Sequence, residues 1–140
     1  MELKKEIKKF CKPFGVKIII DNEDGWACYK NLIYVPTTEK KMYAEGFMDL
    51  IEQDYPDITA TEFTWSLLHE VGHAKTWDLF TKKAWKKYEK TAPYIHDIEK
   101  YSRVPQERVA TDWAARYIAK HPKRIAKFEK KIEKILGEIR

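Results

Sequence analysis

The sequence predicts an α+β fold in which a small three-stranded antiparallel sheet packs against a mostly helical bundle. Two observations lead to this prediction: β-branched runs are confined to residues 16–35, and apolar residues recur at helical spacing from residue 39 onward. The 140 residues are 44% hydrophobic and contain no repeated or linker-like segment. That length suits one hydrophobic core, so residues 1–140 are predicted to form a single domain.

The N-terminal part is predicted to contain one helix and all three strands. Apolar residues at helical spacing indicate the helix, and β-branched and aromatic residues indicate the strands. Asp24-Gly25 and Lys30-Asn31 supply turns between the strands, which would make the sheet a meander. The helix is predicted for residues 2–11, and the strands for residues 16–20, 26–29 and 32–35.

Helices are predicted for most of the remaining chain. Thr59 and Glu62 form a capping-box pattern with Thr59 at the N-cap, and the helix that they begin should extend to about Leu79. Pro105 and Pro122 suit the first turns of two further helices. The predicted segments are residues 39–53, 60–79, 82–90, a single turn around 95–101, 105–119, and a last helix that begins at residue 122.

The composition favours a cytoplasmic protein without a membrane span. No apolar run approaches the ~20 residues that a bilayer-spanning helix needs, and the N-terminus lacks the apolar core of a signal peptide. Cys11 and Cys28 form no paired framework, so two reduced thiols are expected, although the sequence does not exclude a disulfide. The net charge of +5 is concentrated in residues 82–90 and in the last helix. A solvated helix face explains it better than direct nucleic-acid binding.

The motif that carries chemistry is His69-Glu70-Val71-Gly72-His73, which lies within a predicted helix. Residues four apart lie one turn along the same helix face, so both imidazoles can point at one metal ion. Glu70 lies about 100° around the axis, where its carboxylate can reach a water at that ion and accept a proton. This spacing predicts a zinc site with Glu70 as the general base. The alternative is a pair of structural histidines beside a surface glutamate.

A catalytic zinc ion needs a third protein ligand, and Glu107 is the preferred candidate. Small residues beside Glu107 would let its helix pack closely against Gly72, although a first-turn glutamate can also simply interact with the helix dipole. Cys28 is a rival ligand, but its surroundings do not resemble the cysteine motif of peptide deformylases. Thr76 and Leu79 stand where the longer HExxHxxGxxH motif has its glycine and third histidine, so that arrangement is excluded.

Two segments resemble the ImmA/IrrE-type metallopeptidases, a gluzincin-like family with a zincin-like fold. They are FTWSLLHEVGH at residues 63–73 and ERVATDWA at residues 107–114. The resemblance implies that Zn²⁺ is bound by His69, His73 and Glu107, that Glu70 is the general base, and that the partner is a protein such as a helix-turn-helix repressor. Thr111 departs from the family pattern, in which Asp or Asn is expected at this position.

The sequence therefore predicts a zinc-dependent metallopeptidase that hydrolyses peptide bonds of an intracellular protein, such as a transcriptional repressor. Tyr94 and His96 are candidates for hydrogen bonding to the developing oxyanion, although either could be a packing residue. The strand at residues 32–35 could pair with an extended substrate, and Asp112 could orient a ligand histidine. The alternative function is a non-catalytic, zinc-containing regulatory module that binds a protein or nucleic acid.

Overall fold

The computed structural model describes residues 2–20, 25–36 and 45–139, and most of them are helical. Short 3₁₀ turns follow the first, third and fourth helices, at Lys12–Phe14, Trp77–Leu79 and Ala92–Tyr94. The helices of the described residues are α1 (Glu2–Cys11), α2 (Phe47–Asp54), α3 (Glu62–Thr76), α4 (Lys82–Thr91), α5 (Ile98–Ser102), α6 (Pro105–Lys120) and α7 (Pro122–Ile139).

The sheet has the three predicted strands in an unpredicted order. They are β1 (Lys17–Ile20), β2 (Ala27–Tyr29) and β3 (Leu32–Val35), arranged β1-β3-β2. Because β3 pairs parallel with β1 and antiparallel with β2, the sheet is mixed, and the prediction of an all-antiparallel meander is wrong. Asp24, which was expected in the turn of the first hairpin, lies outside the described residues.

The physical reason for this order lies in the composition of the strands. In β3, Ile33 and Val35 are fully buried and the other two residues are half-buried, as suits a central strand. In β2, by contrast, Tyr29 is exposed, as suits an edge strand. A tight turn with Lys30 at φ 54 returns the chain from β2 to β3, as the sequence predicted.

The helix boundaries largely confirm the sequence analysis, with one correction at the start of α3. The N-cap is Thr61 rather than Thr59, since the Thr61 side chain accepts a hydrogen bond from the Thr64 amide. The predicted helix at residues 39–53 is confirmed from Phe47 onward but is wrong at residues 45–46, which form a turn with Gly46 at φ 81 as the N-cap, and residues 37–44 lie outside the described part of the chain.

The long helix α3 occupies the centre of the molecule, where it packs against α6 on one side and against β2 and β3 on another. Trp65, Leu67, Leu68 and Val71 of α3 are fully buried in this core. The pair α1 and α7 covers the remaining flank, with apolar residues of the two helices in one shared core cluster. Contacts with α6 and with the sheet hold the polar residues of α3 in fixed surroundings.

Within the described residues, no helix has both the length and the apolar character required to cross a bilayer. Cys11 is buried in α1 and Cys28 is half-buried in β2, and both are free thiols, as expected. Burial raises the pKa of the Cys11 thiol to about 12, although the nearby Arg124 partly opposes this shift.

Candidate metal centre

The HExxH motif lies in the second half of α3, on the part of the helix that faces α6. The imidazole rings of His69 and His73 lie with their centroids 4.7 Å apart, nearly perpendicular to one another. The nearest possible ligand atoms of His69, Glu70 and His73 all lie within 4.8 Å of one another. The spacing of these residues along the helix therefore brings their side chains together, as the sequence predicted.

Glu107, in the first turn of α6, meets both histidines. Its Oε1 lies 3.0 Å from His69 Nε2, and its Oε2 lies 2.8 Å from His73 Nε2. The glutamate side chain is only 3% exposed, and the two imidazoles are 12% and 7% exposed. The fold thus places the imidazoles of His69 and His73, one helical turn apart, against the carboxylate of Glu107, which lies at least 34 positions further along the chain.

Gly72 permits this meeting of α3 and α6. A Cβ atom at this position would overlap the backbone carbonyl of Ala110, so any larger residue would force the two helices apart. The small residues Ala110 and Ala114, both fully buried, form the facing surface of α6. The close approach that the sequence predicted at Gly72 is therefore confirmed.

Thr111 fixes the orientation of the His69 ring. Its hydroxyl donates to the Glu107 carbonyl oxygen at 3.0 Å, so its oxygen is left to accept from His69 Nδ1, 2.9 Å away. The proton of a neutral His69 therefore lies on Nδ1, and the Nε2 lone pair points toward Glu107. This support of the second ring nitrogen is typical of metal-binding histidines, and threonine provides it here in place of the expected Asp or Asn.

The donor set fits a cation. With its Nδ1 proton directed at Thr111, His69 presents a lone pair to a Glu107 oxygen 3.0 Å away, and two lone pairs repel one another. Either a proton on Nε2 or a metal ion relieves this repulsion. His69, His73 and Glu107 would hold such an ion, since all three bring nitrogen or carboxylate oxygen atoms to one place.

The electrostatics of the site agree with this interpretation. Burial opposes the imidazolium form of His69, but the Glu107 carboxylate outweighs that cost and raises the pKa of His69. Burial similarly opposes ionisation of Glu107, yet the two histidines beside it hold its pKa well below the ordinary value. The site therefore carries an ionised carboxylate and attracts a positive charge, for which a proton and a metal ion compete.

Two tyrosines that the sequence analysis missed complete the surroundings of Glu107. The Tyr88 hydroxyl donates to Glu107 Oε2 at 2.7 Å, and the Tyr101 hydroxyl lies 3.2 Å from that of Tyr88. Burial and the nearby carboxylate raise the pKa of both phenols, so both remain protonated donors at neutral pH. The sequence did contain one signal for Tyr88. It follows Trp85 by three residues, so the two aromatic side chains share one face of an otherwise lysine-rich helix, which is typical of a face that packs against the protein.

Glu70, unlike Glu107, lines a cleft of about 230 Å³. Its side chain is 7% exposed, and no hydrogen bond joins it to another residue in the described ranges. Burial raises its pKa, the two histidines lower it, and Glu107 raises it, with a net upward shift. A buried carboxylate that lines the cleft beside the metal-binding candidates is placed to exchange protons with a molecule in the cleft.

Four other predicted residues are not brought to this group. Tyr94 is 73% exposed and His96 is also exposed, and neither lines the cleft. Asp112 accepts a hydrogen bond from Tyr55 and lies 3.7 Å from Arg108, so Thr111 rather than Asp112 orients His69. Cys28 lines the cleft, but its thiol points to the Lys30 carbonyl oxygen at 3.3 Å, and burial, Glu70 and Glu107 all raise its pKa.

Comparisons with known proteins do not assign the chain to a family. No protein-family model matches it, and searches of the curated proteins and of the solved structures return no match. The geometry of the site is therefore the basis for inferring a function.

Proposed function

We propose that the chain is a zinc-dependent metallopeptidase of the zincin-like class. The observation that carries this proposal is the meeting of His69, His73 and Glu107, with the His69 ring fixed by Thr111. Two imidazoles and one carboxylate are the ligand set of several catalytic zinc sites, whereas structural zinc sites usually have four protein ligands that are often cysteines. The resemblance to the ImmA/IrrE-type metallopeptidases points to the same three residues.

Two carboxylates lie near the histidines, and their surroundings favour different roles. Glu107 is held by both imidazoles and by Tyr88, as suits a ligand that must stay ionised and immobile. Glu70 lines the cleft, has no such hydrogen-bond partner among the described residues and has a raised pKa, as suits a group that accepts and releases protons. We therefore assign Glu107 as the third ligand and Glu70 as the general base.

In the proposed reaction, Glu70 accepts a proton from the attacking water and passes it to the nitrogen of the leaving amine. When bound, zinc supplies a Lewis acid that polarises the scissile carbonyl and lowers the pKa of the water. Tyr101, which lines the cleft, is the best-placed donor to the developing oxyanion, in the role that the sequence suggested for Tyr94 and His96. Rotation of its hydroxyl away from Tyr88 would direct the proton toward substrate.

The open edge of β2 is a suitable place for the substrate backbone. Only β3 pairs with β2 among the described strands, and Ala27, Cys28 and Tyr29 all line the cleft beside Glu70. An extended peptide could add to this edge by main-chain hydrogen bonds. The sequence suggested the β3 edge for this role, but β3 lies in the middle of the sheet.

We further propose an intracellular protein as the substrate, with a helix-turn-helix repressor as the first candidate. This part of the proposal depends on the family resemblance alone. The alternative, a non-catalytic zinc-containing module that binds a protein or nucleic acid, requires the same zinc ligands but no reactive role for Glu70. The two functions are therefore separated by what happens when only Glu70 is changed.

The test compares the zinc-loaded parent with Glu70→Gln, using a quenched fluorescent peptide library with randomised central positions as the probe. We expect both proteins to contain one zinc ion per chain by elemental mass spectrometry, because Glu70 is not a ligand. We expect the hydrolysis rate of the variant to be lower by at least about 100-fold, which is the usual contribution of a general base. Equal rates for the two proteins would remove Glu70 from its role, and no hydrolysis by the zinc-loaded parent would favour the binding module.

A further inference from the structure

One wall of the cleft beside Glu70 consists largely of aromatic rings. Trp77 and Trp85 stack with centroids 3.9 Å apart and planes 14° from parallel, and the Trp85 indole N–H donates to the Trp77 carbonyl oxygen at 3.0 Å. Tyr29 meets Trp77 edge to face at 5.7 Å, and Tyr88 meets Trp85 in the same way at 5.2 Å. These contacts hold the rings in place, so the wall is formed before any ligand binds.

Part of this apolar surface is uncovered. Tyr29 is 52% exposed, and Leu79, in the same 3₁₀ turn as Trp77, is 71% exposed. An exposed aromatic side chain that lines a cleft is typical of a binding surface, and Tyr29 is such a side chain. Tyr29 is the last residue of β2, and Leu79 precedes the start of α4.

The wall lies close to the groups that are proposed to react. Glu70 and His73 line the same cleft as Tyr29, Trp77 and Trp85. The three residues of β2 span about 10 Å, so a peptide paired with this edge extends over only about three residues. A side chain of that peptide that contacts the aromatic wall is therefore within about two residues of the bond beside Glu70.

The size of the cleft limits what can occupy it. Pockets for drug-sized ligands enclose about 300–1,000 Å³, and this cleft encloses about 230 Å³. One bulky side chain with its neighbouring backbone fits such a volume, whereas a packed helix or a large cofactor does not.

An uncharged occupant avoids a cost that a charged one meets at the aromatic rings. The Lys30 ammonium group already lies 5.5 Å from the centre of the Tyr29 ring, so a second cation at that ring meets repulsion. An acidic side chain would have to lose its hydration against the aromatic rings and beside the Glu70 carboxylate. Glu89 also lines the cleft, so a lysine side chain is the strongest competitor to an apolar one.

We propose that this aromatic cleft is a specificity pocket that selects substrates with an aromatic or leucine-sized side chain within two residues of the scissile bond. The inference rests on the proposed peptidase function, because the position of the bond is taken from Glu70 and His73. It adds the class of substrate, which the metal site alone does not define.

The experiment measures binding rather than turnover, so it does not depend on catalysis. Zinc-loaded Glu70→Gln is titrated with N-acetylated pentapeptide amides that differ at one scanned position, which is Phe, Leu, Ala, Lys or Asp. Tryptophan fluorescence reports binding, since Trp77 and Trp85 form the wall. We expect Phe and Leu peptides to bind at least about 10-fold more tightly than the Ala peptide, given the usual gain from burying a large apolar side chain.

The matched variants are Tyr29→Ala and Tyr29→Phe, each made in the Glu70→Gln background. Tyr29 is exposed at the rim, so its removal should leave the fold and the zinc content unchanged. We expect Tyr29→Ala to reduce the Phe-to-Ala affinity ratio to below about 3-fold and Tyr29→Phe to retain it. An unchanged ratio in Tyr29→Ala, equal affinities for the Phe and Ala peptides, or tighter binding of the Lys peptide would each overturn the proposal.

The binding experiment can support or overturn the specificity pocket whether or not the protein proves to be a peptidase. Preferential binding of Phe peptides by a protein whose parent hydrolyses nothing would support the pocket and overturn the enzyme. Hydrolysis by the parent without any preference at the scanned position would support the enzyme and overturn the pocket.

Discussion

The hydroxyl of Thr111 decides which nitrogen of His69 carries a proton, and thereby makes the other nitrogen available to a metal ion. It can do so because its own proton is already donated to the Glu107 carbonyl oxygen. The oxygen that remains accepts from His69 Nδ1 at 2.9 Å. Through these two hydrogen bonds, the backbone of α6 fixes the orientation of the His69 ring on α3.

Thr111→Val should weaken zinc binding while leaving the fold intact, because valine has nearly the same shape but cannot accept the Nδ1 proton. Loss of such a supporting hydrogen bond usually lowers metal affinity by about 10- to 100-fold. Competition titration with a chromophoric zinc chelator measures the change. Thr111→Ser is the matched control, since it retains the hydroxyl and should stay close to the parental affinity. Equal affinities of the parent and Thr111→Val would show that this hydrogen bond does not support the site.

Cys11 should make the stability of the protein depend on pH in the alkaline range. Its pKa is raised by burial from 9.0 to about 12, so the folded state favours the protonated thiol. The stability that this provides is fully present below pH 9.0 and is lost as the pH rises toward about 12, by about 1.4 kcal/mol per pH unit. Thermal melts of the parent and Cys11→Ala at several pH values test this expectation.

Because Cys11→Ala lacks the thiol, the difference in Tm between the parent and the variant should stay constant from pH 6 to 8. It should then shrink above pH 9 as the parent loses its advantage. A difference that does not change up to pH 11 would mean that the thiol titrates normally in the folded protein.

At the scale of the elements, the contact between α3 and α6 positions all three proposed ligands. Gly72 sets how closely the two helices approach, since a Cβ there would overlap the Ala110 carbonyl. The sequence predicted this contact because a glycine within a strongly patterned helix usually has a packing reason. It also predicted helix and strand positions well, because apolar spacing and proline positions are local signals.

The order of the strands was not predictable in the same way. Turn residues favour a hairpin between strands that are consecutive in the sequence. Which strand lies in the middle of the sheet depends instead on how the strands are buried against the helices. Tyr88 and Tyr101 were missed for a related reason. The Tyr88 hydroxyl reaches Glu107 from α4, and the Tyr101 hydroxyl reaches that of Tyr88 from α5. No local pattern in the sequence encodes such contacts between different helices.

Gly72→Ala should destabilise the protein by about 1–3 kcal/mol, the usual cost of overpacking a core, and should lower zinc affinity because Glu107 moves away from the histidines. Gly137→Ala is the matched control. Among the described residues, no packing neighbour comes within 4 Å of a Cβ placed on Gly137 in α7, so alanine there should be neutral or stabilise by up to about 1 kcal/mol. Urea denaturation of both variants measures the two changes. A Gly72→Ala protein as stable as the parent would contradict the close approach of the helices.

At the scale of the whole molecule, a metal ion held by these residues would join α3 to α6 across the core. Binding to the folded state alone stabilises it by about 2.7 kcal/mol when free zinc is at 100 times its Kd. Thermal melts with zinc and with excess chelator should therefore differ by several degrees for the parent. His73→Ala should show little of this difference, and an equal shift in that variant would place the stabilising ion elsewhere.

The most direct test of the central claim is the zinc affinity of Glu107→Gln, measured by isothermal titration beside the parent. Loss of a direct ligand should cost more than loss of its hydrogen-bonding support, so the affinity should fall by more than about 100-fold. Glu89→Gln, which removes a carboxylate from the same cleft without touching the ligand set, should bind zinc within about twofold of the parent. One tightly bound zinc ion per chain in the parent, lost in Glu107→Gln and retained in Glu89→Gln, is the predicted result. Parental zinc affinity in Glu107→Gln would contradict the account.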